Sequence, residues 1–223
     1  MITKNFLVKV CGMRDAENIR EVEELGIDMM GFIFYSKSSR YVSVRPPYLP
    51  TKCKRVGVFV DATIGDICQH ITDYSLDIIQ LHGHESTDFI RSLRSLCGDS
   101  TAIIKAFSIA TKEDLEATTP YEGLVDYFLF DTRRPPEETG GWLPPGGTGK
   151  KFDWSILETY HGDTPFLLSG GIGPDDAEIV NYQLSIINSK CIGIDLNSRF
   201  EIEPGIKDIV KLKTFLNYGK QDQ

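Results

Sequence analysis

Eight short apolar runs, separated by more polar stretches, constrain the fold of this 223-residue chain more than any other feature. The runs are rich in β-branched and aromatic residues and are bounded by turn-forming residues, which is typical of buried strands. They are Leu7–Cys11, Met29–Phe34, Val56–Val60, Ile78–Leu81, Ala102–Phe107, Tyr127–Asp131, Phe166–Ser169 and Ile192–Leu196. The sequence therefore predicts eight strands.

The stretches between the runs mostly carry helical spacing. Ile64, Ile67, Cys68 and Ile71 follow the third run at positions i, i+3, i+4 and i+7, which places all four on one helix face. A similar stripe follows the first run at Ile19, Val22 and Leu25, another follows the fourth at Phe89, Ile90, Leu93 and Cys97, and a last one lies at Ile209, Leu212 and Leu216. Helices are therefore expected to alternate with the strands.

Residues typical of helix ends support these helices. Gly26 stands where a C-terminal cap belongs, and Pro174 suits the first turn of the seventh helix. Thr111 with Asp114 resembles a capping box that opens the fifth helix. The second helix is the exception, because Ser36–Pro50 is rich in Ser, Pro and Arg and predicts a long loop with at most a short helix.

Alternating strands and helices require a parallel sheet. Eight such units in 223 residues favour a closed (β/α)₈ TIM barrel, with residues 1–223 forming a single domain; a doubly wound open sheet is the alternative. The stretch Thr132–Lys151 contains four prolines and five glycines. This stretch is longer than a simple connection between a strand and a helix requires, which indicates an active-site loop.

Composition excludes several classes of protein. The net charge is −8 and the pI is near 5.1, which argues against nucleic-acid binding. No apolar stretch is long enough for a membrane span, and the N-terminus lacks the pattern of a signal peptide, so a cytoplasmic location is expected. The five cysteines are odd in number and widely spaced, so we expect reduced thiols and neither a disulfide framework nor a metal site.

In barrels the active site lies at the C-terminal ends of the strands, so the polar residues there are the candidates. The seventh run continues into Ser169, Gly170, Gly171 and Gly173. A glycine-rich turn that opens a helix presents backbone N–H groups to an anion, which favours a phosphate site, although the glycines also suit a plain tight turn. Asn197 and Ser198 after the eighth run are expected to complete it.

Two strand ends carry candidate acid–base groups. Cys11 ends the first run directly before Gly12 and is either a core cysteine or a thiolate base at the mouth of the barrel. Asp131 ends an apolar run, where a carboxylate is either functional or paired with Arg133 or Arg134. Strands seven and eight separate these two positions around the ring, so both would flank the predicted phosphate loops, as proton-shuttling isomerisation needs.

Seven ordered segments resemble the phosphoribosylanthranilate isomerase family and together cover nearly the whole chain. They are Lys9–Arg14, Gly31–Tyr35, Ser39–Val42, Val56–Val60, Gln80–Gly83, Gly146–Gly149 with Phe152–Trp154, and Leu168–Ile172. The resemblance implies a TIM barrel that catalyses the Amadori rearrangement of N-(5′-phosphoribosyl)anthranilate in tryptophan biosynthesis. It also implies a phosphorylated small-molecule substrate, no metal or organic cofactor, and a monomer or homodimer.

The same resemblance implies roles for individual residues. Asp131 matches the family's general acid, Cys11 its general base, and Arg40 the arginine that pairs with the anthranilate carboxylate. Gly171 and its neighbours match the phosphate loop, and Gly149 matches a loop near the substrate. Gln80 and His82 match motif positions that we expect either to contact substrate or to form a structural hydrogen bond.

Two positions depart from the family pattern. Ser39 stands where a proline is usual, which is expected to loosen the loop that carries Arg40. Arg199 stands where a glycine usually follows the serine of the eighth-strand loop. An arginine here either strengthens phosphate binding or turns outward, because its Cβ cannot approach the phosphate as glycine would.

Two other functions are compatible with a phosphosugar-binding barrel. A lyase similar to indole-glycerol-phosphate synthase would need a catalytic lysine and glutamates at strand ends, whereas the first strand here ends in Cys11 and Lys9 faces the other way from its neighbour. A non-catalytic phosphosugar-binding protein would not need both Cys11 and Asp131. The isomerase is the interpretation that gives all of these residues a function.

Overall fold

The computed structural model describes residues 6–98, 100–132, 154–186 and 190–217. Eight parallel strands form a closed barrel in which each strand pairs with the next along the chain and β8 closes on β1. The strands are β1 Leu7–Val10, β2 Met29–Ile33, β3 Lys54–Phe59, β4 Ile78–Leu81, β5 Ala102–Ile109, β6 Tyr127–Thr132, β7 Phe166–Leu168 and β8 Cys191–Leu196. The predicted TIM barrel is confirmed.

Five α-helices lie outside the barrel in the described residues: α1 Ala16–Glu23, α2 Ile64–Tyr74, α3 Thr87–Cys97, α4 Ala177–Ile186 and α5 Ile209–Leu216. Side chains of Asp15, Thr63, Ser86 and Asp208 cap four of them by accepting a backbone N–H from the first turn. No described helix is long and apolar enough to pass through a membrane.

Local sequence explains where the outer ring departs from regular helices. The chain between β2 and β3 holds no helix, as the loop predicted at Ser36–Pro50 requires. The predicted fifth helix is wrong in kind, because Glu113–Tyr121 is a 3₁₀ helix. The Asp114 carboxylate accepts the N–H groups of Ala110 and Thr111, and the second of these bonds is the carboxylate half of the predicted capping box. Pro120, however, lacks the N–H that an α-helix would use.

The remaining connections vary in the same way. The segment Trp154–Thr159 is also 3₁₀, and a 3₁₀ turn at Pro174–Asp176 leads into α4, so Pro174 lies in the first turn as predicted. After β8, a short 3₁₀ turn at Ser198–Phe200 precedes a small hairpin of β9 Glu201–Glu203 and β10 Ile206–Lys207. This hairpin returns to the mouth of the barrel.

Two apolar cores follow from the alternation of side chains along the strands. The larger core lies between the barrel and the outer layer and includes Ile19, Ile67, Ile90 and Leu212 from the predicted helix stripes. The smaller core fills the barrel interior with one or two residues from each of six strands. Several interior positions above it, toward the C-terminal ends of the strands, carry polar side chains, among them Gln80, Asp131 and Ser169, and they mark the candidate site.

Candidate active site

The C-terminal ends of the barrel strands enclose one cavity that collects the candidate residues. Of the twelve predicted site residues, eleven belong to the described chain and all eleven line this cavity. They are Cys11, Arg40, Gln80, His82, Asp131, Ser169, Gly170, Gly171, Asn197, Ser198 and Arg199. Gly149 lies outside the described residues, as do Arg133, Arg134 and most of the predicted active-site loop.

Cys11 lies just beyond the end of β1 with its side chain toward the cavity. Its backbone N–H donates to Leu196 O at 2.9 Å, and the residue is buried. Gly31 on β2 faces it, and a Cβ added there would lie only 2.6 Å from Cys11 Sγ. The absence of a side chain at Gly31 therefore makes the space in which the thiol lies.

Substituting Gly31 by Ala is expected to lower the free energy of unfolding by about 1–3 kcal/mol, the usual cost of overpacking a filled interior. The displaced atoms belong to Cys11, whose Cα would also lie 3.1 Å from the new Cβ. Urea denaturation measures the change. Gly65→Ala on α2 is the matched control, since nothing lies closer than 3.8 Å to its added Cβ; equal effects at the two positions would contradict the steric explanation.

Asp131 lies across the cavity at the end of β6, where its side chain is only 8% exposed. His82 Nε2 lies 3.6 Å from Asp131 Oδ2, and Gln80 Nε2 contacts His82 Nδ1 at 2.9 Å. With the Gln80 amide donating, His82 carries its proton on Nε2 and presents it to Asp131. Gln80 thus orients the His82 ring, and His82 in turn lies beside Asp131. Gln80 Oε1 has no hydrogen-bond partner among the described residues.

The glycine-rich turn after β7 passes through backbone conformations that favour glycine. Gly170 and Gly171 have φ angles of 92° and 69°, in the region that side chains disfavour. Gly173 N donates to the Asp176 carboxylate at 2.8 Å, which orders the start of the following helix. Arg199 is exposed at the rim of the cavity, and its guanidinium lies beside this turn, 3.2 Å from the point where a Gly173 Cβ would be.

Arg40 is held by a residue that the sequence motifs did not indicate. Its Nε and Nη2 donate to both carboxylate oxygens of Glu201, at 2.6–3.0 Å. Lys207 Nζ donates to the same Glu201 at 2.6 Å and to Asn197 Oδ1 at 2.9 Å. The hairpin after β8 therefore anchors the loop after β2, and Glu201 occupies the Nε and Nη2 side of the Arg40 guanidinium.

The charges around Glu201 settle its ionisation. Burial works to raise the pKa of Glu201, but hydrogen bonds from Arg40 and the charge of Lys207 outweigh it and lower the pKa below its ordinary value. Burial lowers the pKa of Lys207, which Glu201 opposes. Glu201 is therefore an anion, and its charge keeps Arg40 fixed in orientation.

A second ion pair lies below the cavity, inside the barrel. Lys9 Nζ donates to Asp195 Oδ1 at 2.7 Å, and Ser169 Oγ donates to Asp195 Oδ2 at 3.2 Å. The sequence did not lead us to count Lys9 among the candidate site residues, although a residue two positions before Cys11 on a strand shares its face. The alternation of side chains between the two faces of a strand is the pattern that would have indicated Lys9.

The structure does not bring every strand-end polar residue together. Asp61 and His84 pair with each other at 3.3 Å on the exposed rim, and Lys37 is exposed. The cavity instead gains an apolar wall that sequence reasoning missed: Ile33, Tyr35, Val58, Val60 and Ile172. Within the described ranges, no group of three or more His, Cys, Asp or Glu side chains is arranged to hold a metal ion.

Comparisons with known proteins agree with this geometry. Residues 8–218 match the family model described as N-(5′-phosphoribosyl)anthranilate (PRA) isomerase. Proteins of that name from Parabacteroides distasonis and Phocaeicola vulgatus are 50% and 46% identical to the chain. The first match covers 95% of this chain and 92% of the relative, and the second covers 97% and 98%.

Solved structures extend the likeness to the backbone. The phosphoribosyl anthranilate isomerase of Thermotoga maritima matches with a TM-score of 0.78 and 30% identity over 97% of this chain and 99% of that one. A phosphoribosyl anthranilate isomerase in complex with reduced 1-(o-carboxyphenylamino)-1-deoxyribulose 5-phosphate matches with a TM-score of 0.73 and 27% identity, over the same shares. Both likenesses span the whole barrel.

Proposed function

The chain belongs to the N-(5′-phosphoribosyl)anthranilate isomerase family, and on this premise we propose that it rearranges N-(5′-phosphoribosyl)anthranilate to 1-(2-carboxyphenylamino)-1-deoxyribulose 5-phosphate in tryptophan biosynthesis. One observation carries the proposal: a thiol, a carboxylic acid, an arginine and a glycine-rich turn line the same cavity at the C-terminal end of the barrel. The expected cytoplasmic location suits this role.

The proposed reaction needs an acid and a base on two sides of the sugar. Asp131, in its protonated form, gives a proton to the ribose ring oxygen, and the ring opens to a Schiff base. Cys11, as the thiolate, removes the C2′ proton to leave an enolamine, which tautomerises to the ketone. Asp131 at the end of β6 and Cys11 after β1 both line the cavity from separate strands, which is the placement that two proton transfers require.

The rest of the cavity suits the two ends of the substrate. The Nη1 and Nη2 edge of Arg40 faces the anthranilate carboxylate, because Glu201 occupies the Nε edge. The apolar wall, with Ile33 and Val58 at its base, accommodates the aromatic ring.

We propose that the phosphate of the substrate binds at the turn after β7 and the loop after β8. Backbone N–H groups around Gly170 and Gly171, together with Asn197, Ser198 and the Arg199 guanidinium, form a donor set for three phosphate oxygens. Gly149 is proposed as a further substrate contact on the strength of its motif alone.

Adding the purified protein to phosphoribosylanthranilate tests the function directly. The fluorescence of the substrate is expected to fall as the ketone forms. A folded sample that binds the substrate without turnover would support the non-catalytic phosphosugar-binding alternative and would contradict the proposed isomerase activity. Sedimentation of the same sample decides between a monomer and a homodimer; one related structure is of monomers made from a dimeric phosphoribosylanthranilate isomerase of Thermotoga maritima.

Arg199→Gly is expected to raise KM about tenfold and to leave kcat nearly unchanged. In this proposal the phosphate, which does not react, is the part of the substrate that the guanidinium contacts, and a hydrogen bond to a charged group contributes about 1.5 kcal/mol, or tenfold in binding. Steady-state kinetics and competition by inorganic phosphate give both numbers. Arg199→Lys is the matched control and is expected to lie between the two. An unchanged KM in Arg199→Gly would show that the side chain does not bind phosphate.

A further inference from the structure

The ion pair of Lys9 and Asp195 lies in the barrel interior directly below the candidate site, and the proposed chemistry leaves it without a role. The two residues are register partners on β1 and β8, and Lys9 is fully buried. A buried ion pair contributes little to stability compared with a well-packed apolar layer, since both charges lose their hydration. The pair therefore calls for an explanation other than packing.

The position of Lys9 on its strand supplies one. Lys9 and Cys11 are two residues apart, so both side chains point into the barrel. The Lys9 ammonium donates to Asp195 at 2.7 Å and is near enough to Cys11 for the charges of the two groups to interact. Asp195 is itself held by Ser169, so the ammonium has a fixed place beneath the thiol.

We propose that Lys9 is a positioning residue of the reaction: its ammonium group, fixed by Asp195, supplies the counter-charge with which Cys11 becomes a thiolate base. The inference rests on the proposed function. Cys11 first loses its proton to solvent. The C2′–H bond then breaks, its electron pair enters the enolamine, and the proton forms the S–H bond of Cys11. Lys9 keeps its protons throughout, so it acts through Cys11 and not on the substrate.

The electrostatics of the thiol show what a counter-charge has to oppose. Burial and Asp195 raise the pKa of the Cys11 thiol above its ordinary value, whereas Lys9 and, more weakly, Lys207 act to lower it. Burial works against the charge on Lys9, but Asp195 and Cys11 outweigh it and raise the pKa of Lys9, so the ammonium persists at neutral pH. The charged and titratable side chains facing Cys11 from the surrounding elements are Lys9, Asp195, Lys207, Arg40, His82 and Asp131.

The test is a pH titration of Cys11 in Lys9→Met, read by the ultraviolet absorbance of the thiolate after subtracting the same variant with Cys11→Ser. Losing the counter-charge leaves burial and Asp195 to act alone. The thiolate transition is therefore expected to move upward by about 1–3 pH units, the usual effect of one close charge. Activity requires the thiolate, so the rising limb of kcat against pH moves upward with it.

A second variant guards against loss of folding. Lys9→Met leaves Asp195 buried and unpaired, whereas Lys9→Met with Asp195→Asn is uncharged and is expected to regain thermal stability. Its thiolate transition is expected to stay above that of the wild type, by a smaller step, because Asp195 also opposed the thiolate. A stable double variant with the wild-type transition would overturn the proposal and leave the pair a structural role.

Lys105 and Glu85 provide the matched control, since they form another buried pair with Nζ and Oε2 3.1 Å apart, on β5 and the loop after β4. Lys105→Met with Glu85→Gln is expected to leave the Cys11 transition in place; an equal shift there would also overturn the proposal. The thiol titration needs no substrate. If the wild type lacked isomerase activity, the proposed function would fail while the titration still decided whether Lys9 is the counter-charge of Cys11.

Discussion

Asp131→Asn is expected to lower kcat by about 10²-fold or more, the usual scale of a general acid. The amide is nearly the same size as the carboxylic acid and can keep the contact with His82, but it has no proton to give to the ribose ring oxygen. KM is expected to change little, because Asp131 acts on the reacting atoms and the binding groups stay in place. Steady-state kinetics of the purified variant give both values.

Two comparisons sharpen this expectation. Asp88→Asn removes a carboxylate from the exposed side of α3, where Arg91 is its ion-pair partner among the described residues, and is expected to leave kcat unchanged. His82→Gln removes the imidazole beside Asp131, 3.6 Å from its Oδ2, and is expected to have a smaller effect than Asp131→Asn. An Asp131→Asn variant with an unchanged kcat and only a raised KM would show that Asp131 binds substrate and is not the acid.

The positions of Cys11 and Asp131 could be predicted from the sequence because the topology of a parallel barrel is simple. All strands of such a barrel point the same way, so the residue that ends each apolar run reaches the same mouth. Eight runs were enough to predict the barrel, and reading their last residues was enough to bring a thiol and a carboxylate to one cavity. The structure places both there.

Glu201 and Lys207 could not be predicted in this way. They belong to the hairpin that follows β8, whose short strands carry no apolar run of the kind that marks the barrel. Glu201 matters because it holds Arg40, which is 161 residues away in the chain, and Lys207 matters because it contacts Glu201. Such a contact depends on how two loops close over the mouth, and no local pattern encodes it.

The 3₁₀ helix at Glu113–Tyr121 shows a different limit. Thr111 and Asp114 have the spacing of a capping box, and the Asp114 carboxylate accepts the Thr111 N–H as such a box requires. This bond opens a helical turn but does not decide between an α-helix and a 3₁₀ helix. Pro120 has no N–H for the hydrogen bonds of a longer α-helix, so the local pattern predicted the start of the helix and not its type.

Cys11→Ala is the other substitution from which we expect a loss of about 10²-fold or more in kcat, because a methyl group cannot accept the C2′ proton. The loss is expected at every pH, and the rising limb that depends on the thiolate disappears from the profile. Cys191→Ala is the matched control: it removes another buried thiol, on β8 and outside the cavity. It is expected to lower stability without lowering kcat. If both variants lost the same activity, the effect of Cys11→Ala would come from packing, and Cys11 would not be the base.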